Sequence, residues 1–363
     1  MEITQLKKTI LYPSHLKLNA KLVPYAGFEM PVQYPEGIKK EYQSIRKDVG
    51  MFDVSHMGEF EFSGENAERF LQRLTINDVS RLYNGRAQYS VMCNQNGGII
   101  DDLILYKFKD RYFMVINASN IDKNWSWVNR NLIENVEVKN LSDSYSLIAI
   151  QGPNSRNTLE NIFQQVNDLK FYHAREIDFN GEKIILSRTG YTGELGFEIY
   201  ASGNNIQKIW EVLLSKGVQP CGLGVRDLLR MEMKYCLYGN DIDESTNPLE
   251  AGLSWITDFK NQFIGIENLK RCKSNGLDRN LVALKLEERG IPRKGYLIYN
   301  EDNIIGEICS GTQSLALNCG IGLGYVKNGF HNIGTKISVS IRDKKLNAVI
   351  IKPPFIGLTS LFA

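Results

Sequence analysis

The chain has 363 residues, of which 43% are hydrophobic and 23% are charged. This is an ordinary globular composition, which excludes long disordered, collagen-like and coiled-coil architectures, and the length predicts two or three domains. The 43 basic and 41 acidic side chains give a formal net charge of +2, which argues against a dedicated nucleic-acid-binding protein because such proteins carry a clustered basic excess.

The cysteines and histidines do not indicate a metal site. The six cysteines include no C-x-x-C pair, and the four histidines lie far apart in the sequence. We therefore expect reduced, mostly structural thiols and no metal. No apolar run reaches the roughly 18 residues of a spanning helix, and residues 1–18 lack a secretory signal pattern. We expect no membrane association and a cytoplasmic protein, or one of the mitochondrial matrix if the source is eukaryotic.

In chain order, the first clear unit of secondary structure lies within about residues 51–135. Residues 59–62 alternate between polar and apolar side chains with period two, which predicts a half-buried strand. A helix follows, in which Phe70, Leu71 and Leu74 form an apolar stripe.

Two β-rich runs come next, over residues 88–94 and 99–108. The segment between them is Asn-Gln-Asn-Gly-Gly, and because Asn and Gly tolerate positive φ we expect a hairpin. A third strand over residues 112–117 and an amphipathic helix with Trp125 and Val128 complete a compact α+β unit.

The later part of the chain shows a helical pattern and then a β-rich pattern. Apolar side chains recur at helical spacing from Ile206 to Leu214, and Gly217 stands where a C-terminal cap belongs. From about residue 280, short β-rich runs broken by Gly, Asn and Pro predict a small all-β domain at the C-terminus.

Three stretches carry candidate chemistry, and the first is the pair Asp101 and Asp102 at the start of an apolar strand. Neighbouring side chains of a strand face opposite sides, so Asp102 shares a face with Ile104 and Tyr106 whereas Asp101 does not. Buried carboxylates are costly unless they have a partner or a task. The alternative is that one aspartate caps the turn and the other is solvated.

The second stretch is Arg-Thr-Gly-Tyr-Thr-Gly-Glu-Leu-Gly-Phe-Glu, residues 188–198. Its glycines are too loosely spaced for a dinucleotide fingerprint, and they predict a tight turn that leads into a strand. Glu198 then faces away from Phe197 and Ile199. Its carboxylate suits the paired donors of an aminopyrimidinone edge, although a solvated strand glutamate is the simpler interpretation.

The third stretch, residues 222–232, places Arg226 and Arg230 four residues apart on one face of a predicted helix. A surface helix, with Asp227 and Glu232 as ion-pair partners, accounts for this pattern. An arginine that binds a carboxylate or carbonyl of an anionic ligand accounts for it equally well.

Taken together, these stretches resemble the glycine cleavage T-protein family. The resemblance runs in order from near residue 10 to near residue 355. It also rests on residues 24–34 (Pro-Tyr-Ala-Gly-Phe-Glu-Met-Pro-Val-Gln-Tyr), 51–58 (Met-Phe-Asp-Val-Ser-His-Met-Gly), 237–241, 248–253, 289–293 and 320–326.

The resemblance implies an α+β fold shaped as a three-lobed cloverleaf with a pterin in its central opening. The first lobe would be discontinuous, formed by about residues 1–50 and 136–275, with an inserted lobe of about 51–135. Residues 1–275 would thus form the folate-binding catalytic region, and residues 276–363 a C-terminal, barrel-like all-β domain.

The resemblance also implies the site and the reaction. By position, Asp102 resembles the family's catalytic aspartate. Near it, Tyr89, Tyr106 and Asn117 are expected to contribute to cofactor binding. The positions that resemble folate-binding residues are Tyr191, Glu198 and Arg226. An aminomethyl group carried on the dihydrolipoyl arm of H protein would pass to tetrahydrofolate, the co-substrate, to give 5,10-methylenetetrahydrofolate and ammonia. The implied partners are lipoylated H protein and folate, without nucleic acid or membrane.

Two other functions are alternatives. One is a folate-dependent demethylase of a small methylated substrate. The other is a non-enzymatic folate-binding protein, whose Lys-Gly-Cys motif is absent here because Tyr235 stands between Lys234 and Cys236. The sequence also departs from the family after Phe355, where the tail contains no Arg, Lys or Tyr. A folate contact from that tail is therefore not expected.

Overall fold

The computed structural model describes residues 5–342 and 344–363. Its α-helices are α1 Tyr12–Lys17, α2 Gly37–Lys47, α3 Ala67–Leu74, α4 Ile121–Arg130, α5 Ser155–Glu160, α6 Gly203–Ser215, α7 Leu223–Glu232 and α8 Ile266–Asn275. Short 3-10 turns lie at Val79–Arg81, Ala118–Asn120, Gln164–Val166 and Ser254–Ile256.

The strands form a two-stranded ribbon, two larger sheets and a barrel. They are β1 Lys21–Tyr25, β2 Phe28–Gln33, β3 Gly50–Asp53, β4 Gly58–Ser63, β5 Ala87–Cys93, β6 Ile99–Lys107, β7 Arg111–Ile116, β8 Glu137–Asn140, β9 Ser146–Gln151, β10 Ala174–Phe179, β11 Glu182–Ser187, β12 Gly196–Ala201, β13 Gln219–Pro220, β14 Arg279–Leu286, β15 Leu297–Asn300, β16 Asn303–Ser314, β17 Cys319–Lys327, β18 Lys336–Ile341 and β19 Lys344–Ile351.

The first sheet has six strands in the order β10-β11-β12-β9-β3-β13. Strand β3 precedes the second sheet in the chain and the other five strands follow it, so the chain leaves the first sheet and returns to it. The predicted helix is confirmed as α6, and Gly217 takes a positive φ of 77° just beyond its end. Trp210 of α6 is fully buried in one core cluster with Phe197 and Ile199 of β12. The opposite face of β12 therefore points toward the interior between the two sheets.

The second sheet has five strands in the order β5-β6-β7-β4-β8. The predicted hairpin is confirmed, since β5 and β6 pair antiparallel with Val91 opposite Asp102. The predicted strand at residues 59–62 is confirmed within β4, where Phe60 and Phe62 are buried under α3 and α4. Glu59 is also buried, and desolvation raises the pKa of its carboxyl well above the usual value.

The third unit is a closed antiparallel barrel in the order β14-β17-β16-β15-β18-β19, completed by pairing of β19 with β14. The predicted α+β class with a C-terminal β-barrel is thus confirmed. The predicted domain boundaries near residues 50, 135 and 275 stay predictions.

After the barrel, residues 356–363 return to the first sheet. The hydroxyl of Ser360 donates to Glu194 at 2.6 Å and accepts from the backbone N–H of Leu195 at 3.0 Å. The ring of Phe362 packs edge-on against Phe171. The tail therefore holds the end of the segment that precedes β12. Within residues 5–342 and 344–363, we find no helix of the length and apolar character that crossing a membrane requires.

Candidate active site

The two consecutive aspartates of β6 lie on opposite faces of the second sheet, as the alternation of a strand requires. Asp101 is 0% exposed and lies under α4, whereas Asp102 keeps part of its surface exposed on the other face. Neither aspartate is the fully solvated side chain that the alternative interpretation expects. Both carboxyls therefore depend on protein donors.

Asp102 receives one hydrogen bond on each oxygen. The Tyr89 hydroxyl donates to Oδ2 at 3.0 Å, and the Asn117 amide donates to Oδ1 at 2.8 Å. Burial raises the pKa of this carboxyl, and the two hydrogen bonds act against that rise because they favour the charged form. No positively charged side chain in the described part of the chain forms an ion pair with Asp102. The carboxyl is thus oriented but not neutralised.

Asp101 is surrounded by amides. Asn117 donates to it from its backbone N–H at 3.1 Å and from its side chain at 2.8 Å, and the side chains of Asn120 and Asn124 also donate. Burial, and then the negative charge of Asp102, raise the pKa of Asp101 to about 7. Asn120 and Asn124 are site residues that the sequence patterns above did not predict. Their spacing after Asn117, which aligns them at the start of one helix, is the signal that could have identified them.

Glu198 of β12 faces the same interior from the first sheet and is 6% exposed. Its Oε2 accepts hydrogen bonds from Thr189 and, at 3.5 Å, from Tyr200, while Oε1 accepts none from the residues that the structure describes. Burial raises the pKa of Glu198, and the Thr189 hydrogen bond and the charge of Arg226 lower it. One carboxylate oxygen is therefore available to an external donor.

Tyr106 belongs with Glu198 rather than with Asp102. Its hydroxyl lies 3.2 Å from Thr189 Oγ1, 3.1 Å from the Tyr200 hydroxyl and 3.2 Å from Ser187 Oγ. The structure therefore separates Tyr106 from the Tyr89–Asp102–Asn117 cluster with which the resemblance groups it, and joins it to the network that holds Glu198.

The guanidinium of Arg226 on α7 lies over the ring of Tyr191. The guanidinium carbon is 4.8 Å from the centre of the Tyr191 ring, a cation–π contact. The guanidinium nitrogen Nη1 is buried and has no hydrogen-bond partner among the described residues. Such an unpaired buried donor is costly in a folded protein and points to a ligand acceptor.

Tyr191 connects the two clusters. Burial raises its pKa well above the usual value, the negative charge of Asp102 raises it further, and the positive charge of Arg226 lowers it. Both charged groups therefore lie within electrostatic range of one phenol. The Tyr191 hydroxyl donates to the backbone carbonyl of Cys236, and its ring stacks on Tyr235.

The neighbouring arginine on α7 has a different task. Arg230 is 1% exposed and bonds Asp241 through Nη1 at 2.5 Å, Asp227 through Nε at 2.8 Å and Ser310 of the barrel at 3.0 Å. Helix α7 is not a surface helix, and its two arginines have different roles. Arg230 ties the barrel to α7, whereas Arg226 keeps a free donor.

The arrangement can bind a flat, polar heterocycle and a cation at the same time. A carboxylate oxygen of Glu198 and a guanidinium nitrogen of Arg226 are free for the polar edges of such a ring, which fits the donors and acceptors of a pterin. Asp102, oriented and without a cation, suits a group that carries or develops positive charge. The individual roles of the seven predicted site residues stay predictions.

Comparison with known protein families identifies two matching regions. Residues 11–261 match the GCVT N-terminal domain, and residues 279–356 match the glycine cleavage T-protein C-terminal barrel domain.

Full-length relatives agree with these matches. An aminomethyltransferase of Flavobacterium psychrophilum is 46% identical over 96% of this chain and 99% of its own. An aminomethyltransferase of Halothermothrix orenii is 46% identical over 97% of this chain and 100% of its own. Among solved structures, the glycine cleavage system aminomethyltransferase T of Bartonella henselae superposes with a TM-score of 0.92 at 33% identity, over 97% of this chain and 98% of that one.

Proposed function

From the premise that this chain belongs to the glycine cleavage T-protein family and is an enzyme of the aminomethyltransferase class, we propose its donor, acceptor and products. The donor is an aminomethyl group bound to a sulfur of the dihydrolipoyl arm of H protein. The acceptor is tetrahydrofolate. The products are 5,10-methylenetetrahydrofolate, ammonia and the free dihydrolipoyl arm.

The atoms of this transfer balance without an added oxidant or reductant. The carbon–sulfur and carbon–nitrogen bonds of the aminomethyl group break, and the carbon gains bonds to the N5 and N10 nitrogens that tetrahydrofolate supplies. The two hydrogens lost from those nitrogens leave on the dihydrolipoyl sulfur and on ammonia.

We assign one group of side chains, described in the next sentences, to folate binding. Glu198 accepts from the amino-pyrimidinone edge of the pterin through its free oxygen, as carboxylates do with paired N–H donors. Arg226 donates its unpaired Nη1 to an acceptor on the same ligand, and Tyr191 supports the guanidinium through its ring. Tyr106 keeps Glu198 oriented by way of Thr189.

We assign Asp102 to the reacting atoms. Tyr89 and Asn117 fix the direction of its carboxyl, which stabilises positive charge on the aminomethyl carbon and nitrogen and accepts a proton during the transfer. Two bound partners must also meet in one geometry, and this positioning supplies a large share of the rate enhancement.

The observation that carries the proposal is the buried, unpaired Nη1 of Arg226 near a carboxylate with a free oxygen. The test is isothermal titration with tetrahydrofolate, followed by an assay of methylenetetrahydrofolate formation from aminomethylated H protein. We expect saturable binding and product. Binding without product would instead favour a demethylase or a binding protein, and absence of binding would refute the folate site.

A further inference from the structure

Two arginines lie close together on the outer face of the first sheet. Arg188 directly follows β11, and Arg156 belongs to α5. Burial lowers the pKa of Arg188, and the positive charge of Arg156 lowers it further. The two guanidiniums therefore repel each other, and a buried pair of like charges is costly unless an opposite charge joins it.

The packing of the neighbouring segments brings the two side chains to one place. Leu159 of α5 and Leu186 of β11 are buried in the same apolar cluster as Leu169, whose backbone carbonyl accepts from Arg188 Nη1 at 3.3 Å. Leu159 lies three residues after Arg156, and Leu186 lies two residues before Arg188. Both arginines therefore border the same cluster.

Each of the two arginines keeps a buried donor without a partner. Arg188 is 8% exposed, and its Nη2 donates to the backbone oxygens of Leu361 at 3.4 Å and Ala363 at 2.6 Å. The Nε atoms of Arg188 and Arg156 are both buried and have no hydrogen-bond partner among the described residues. Arg156 is partly exposed, so the pair can be reached from solvent.

An unpaired Nε alone does not indicate a ligand, as Arg46 shows. Its Nε is also buried and unpaired, but its other nitrogens form ion pairs with Glu194 at 2.8 Å and Glu232 at 2.7 Å. In the part of the chain that the structure describes, neither Arg156 nor Arg188 forms an ion pair with an acidic side chain. The pair therefore lacks both a hydrogen-bond acceptor and a negative charge.

We propose that Arg156 and Arg188 bind a phosphate group on the outer face of the first sheet. Two guanidiniums from different segments present donors from more than one direction. This arrangement suits the several oxygens of a phosphate, whereas the planar pair of oxygens of a carboxylate is matched by one guanidinium. The ligand is free phosphate or a small phosphomonoester, because both offer the same oxygens.

This site lies across the sheet from the surface that we assign to folate. Ser187 and Thr189 face the interior between the two sheets, where both contact the hydroxyl of Tyr106. Arg188 stands between them in the chain and faces the opposite side, where it contacts Leu169. The phosphate site is therefore independent of the proposed function and can be tested without turnover.

Isothermal titration of the whole protein with sodium phosphate, at an ionic strength held constant with sodium chloride, tests the site. We expect saturable binding at a single site. Arg156→Gln and Arg188→Gln should each raise the Kd for phosphate about tenfold or more, because each removes a charge-assisted donor. Arg156→Gln decides if Arg188→Gln fails to fold, since Arg156 is partly exposed and its Nε has no hydrogen bond to lose.

Arg81→Gln is the matched control, because the Arg81 side chain is 73% exposed beside Asp78, and it should bind phosphate as the wild type does. Thermal unfolding gives a second readout. Phosphate well above its Kd should raise the apparent stability of the wild type and of Arg81→Gln more than that of Arg156→Gln.

The remaining titrations identify the source of the phosphate group. Tighter binding of glycerol 3-phosphate than of inorganic phosphate would identify a phosphomonoester as the ligand, and the reverse order would identify the free ion. Tighter binding of succinate than of both overturns the assignment to phosphate. Absence of saturable phosphate binding by the wild type, an unchanged Kd in Arg156→Gln, or displacement of phosphate by tetrahydrofolate overturns the proposal as well.

Discussion

The side-chain nitrogen of Asn117 lies 2.8 Å from Oδ1 of Asp102 and donates to it. The same nitrogen donates across the strand to the buried carboxyl of Asp101, also at 2.8 Å. Because Asp101 is further held by Asn120 and Asn124, the rigid amide cluster under α4 sets the direction of a carboxyl on the opposite face of the sheet.

Replacing Asp102 by Asn should remove most of the turnover while preserving the fold and folate binding. The amide keeps the shape of the carboxyl, and its oxygen can still accept from Asn117, but it cannot hold a negative charge beside the reacting carbon. Loss of such a group lowers kcat by about 10²-fold to 10⁴-fold. Product formation from aminomethylated H protein measures the effect, and titration with tetrahydrofolate measures binding.

Asp110→Asn is the matched control for this variant, because the Asp110 side chain is 80% exposed beside Arg111 and its loss should leave turnover unchanged. Near-normal activity in Asp102→Asn would refute the assignment of Asp102.

Replacing Asp101 by Asn should flatten the dependence of stability on pH. The pKa of Asp101 is raised to about 7 from 3.8, so between these values the folded protein holds a proton that the unfolded chain has released. The contribution of Asp101 to the free energy of unfolding is therefore fully present below about pH 4 and is lost as the pH rises toward about 7.

Urea unfolding at several pH values between about 5 and 8 measures this slope. The wild type should lose more stability than Asp101→Asn over that range. Parallel profiles for the two proteins would show that Asp101 ionises as an ordinary aspartate and that the amide cluster fully compensates for its burial.

Arg230→Met should lower the folding stability, whereas Arg226→Met should weaken folate binding, although the two residues are one helical turn apart. Arg230→Met leaves Asp241 buried without its cation, which should cost about 3–5 kcal/mol of folding free energy. Arg226→Met removes a buried nitrogen that has no partner among the described residues, which is favourable, and also the cation–π contact with Tyr191, which is unfavourable. Because these two effects oppose each other, the stability of the unliganded protein should change by less than about 1 kcal/mol.

Thermal unfolding with and without tetrahydrofolate separates the two effects, since a ligand raises the apparent stability by an amount that grows with the logarithm of the ratio of its concentration to its Kd. Arg226→Met should lose most of the stabilisation by folate. If it retains that stabilisation, Arg226 does not bind the folate.

Ser360→Ala should loosen the segment that carries Tyr191. The substitution removes the hydroxyl that donates to Glu194 and accepts from Leu195, which should cost about 1–2 kcal/mol and raise the Kd for tetrahydrofolate. Ser274→Ala is the control, because that hydroxyl donates to the carbonyl of Lys270 within its own exposed helix. Equal stability of the two variants would contradict a role for the tail.

Local sequence patterns predicted those elements of the fold that depend on interactions between residues close together in the sequence. The Asn-Gln-Asn-Gly-Gly turn fixed the β5–β6 hairpin, and the alternation in that hairpin placed Asp101 and Asp102 on opposite faces. The helical spacing of apolar residues predicted α6 and its end at Gly217.

Contacts between distant segments could not be predicted in this way. The amides around Asp101 come from a turn and helix beyond β7, and the partner of Tyr106 is Thr189, 83 residues away. Likewise, nothing in the spacing of Arg226 and Arg230 shows that only Arg230 meets Asp241. Such pairings follow from how the two sheets and the barrel pack, which one chain's periodicity does not encode.

The hydrogen bonds between the tail and Glu194 span 166 residues of sequence. Translation delivers the N-terminal part of a chain first, and domains begin to fold while the ribosome is still at work. Both sheets can therefore form on a nascent chain in which the segment before β12 still lacks its final donors. Ser360 is translated after both sheets, so the segment before β12 gains these hydrogen bonds only once synthesis has passed Ser360.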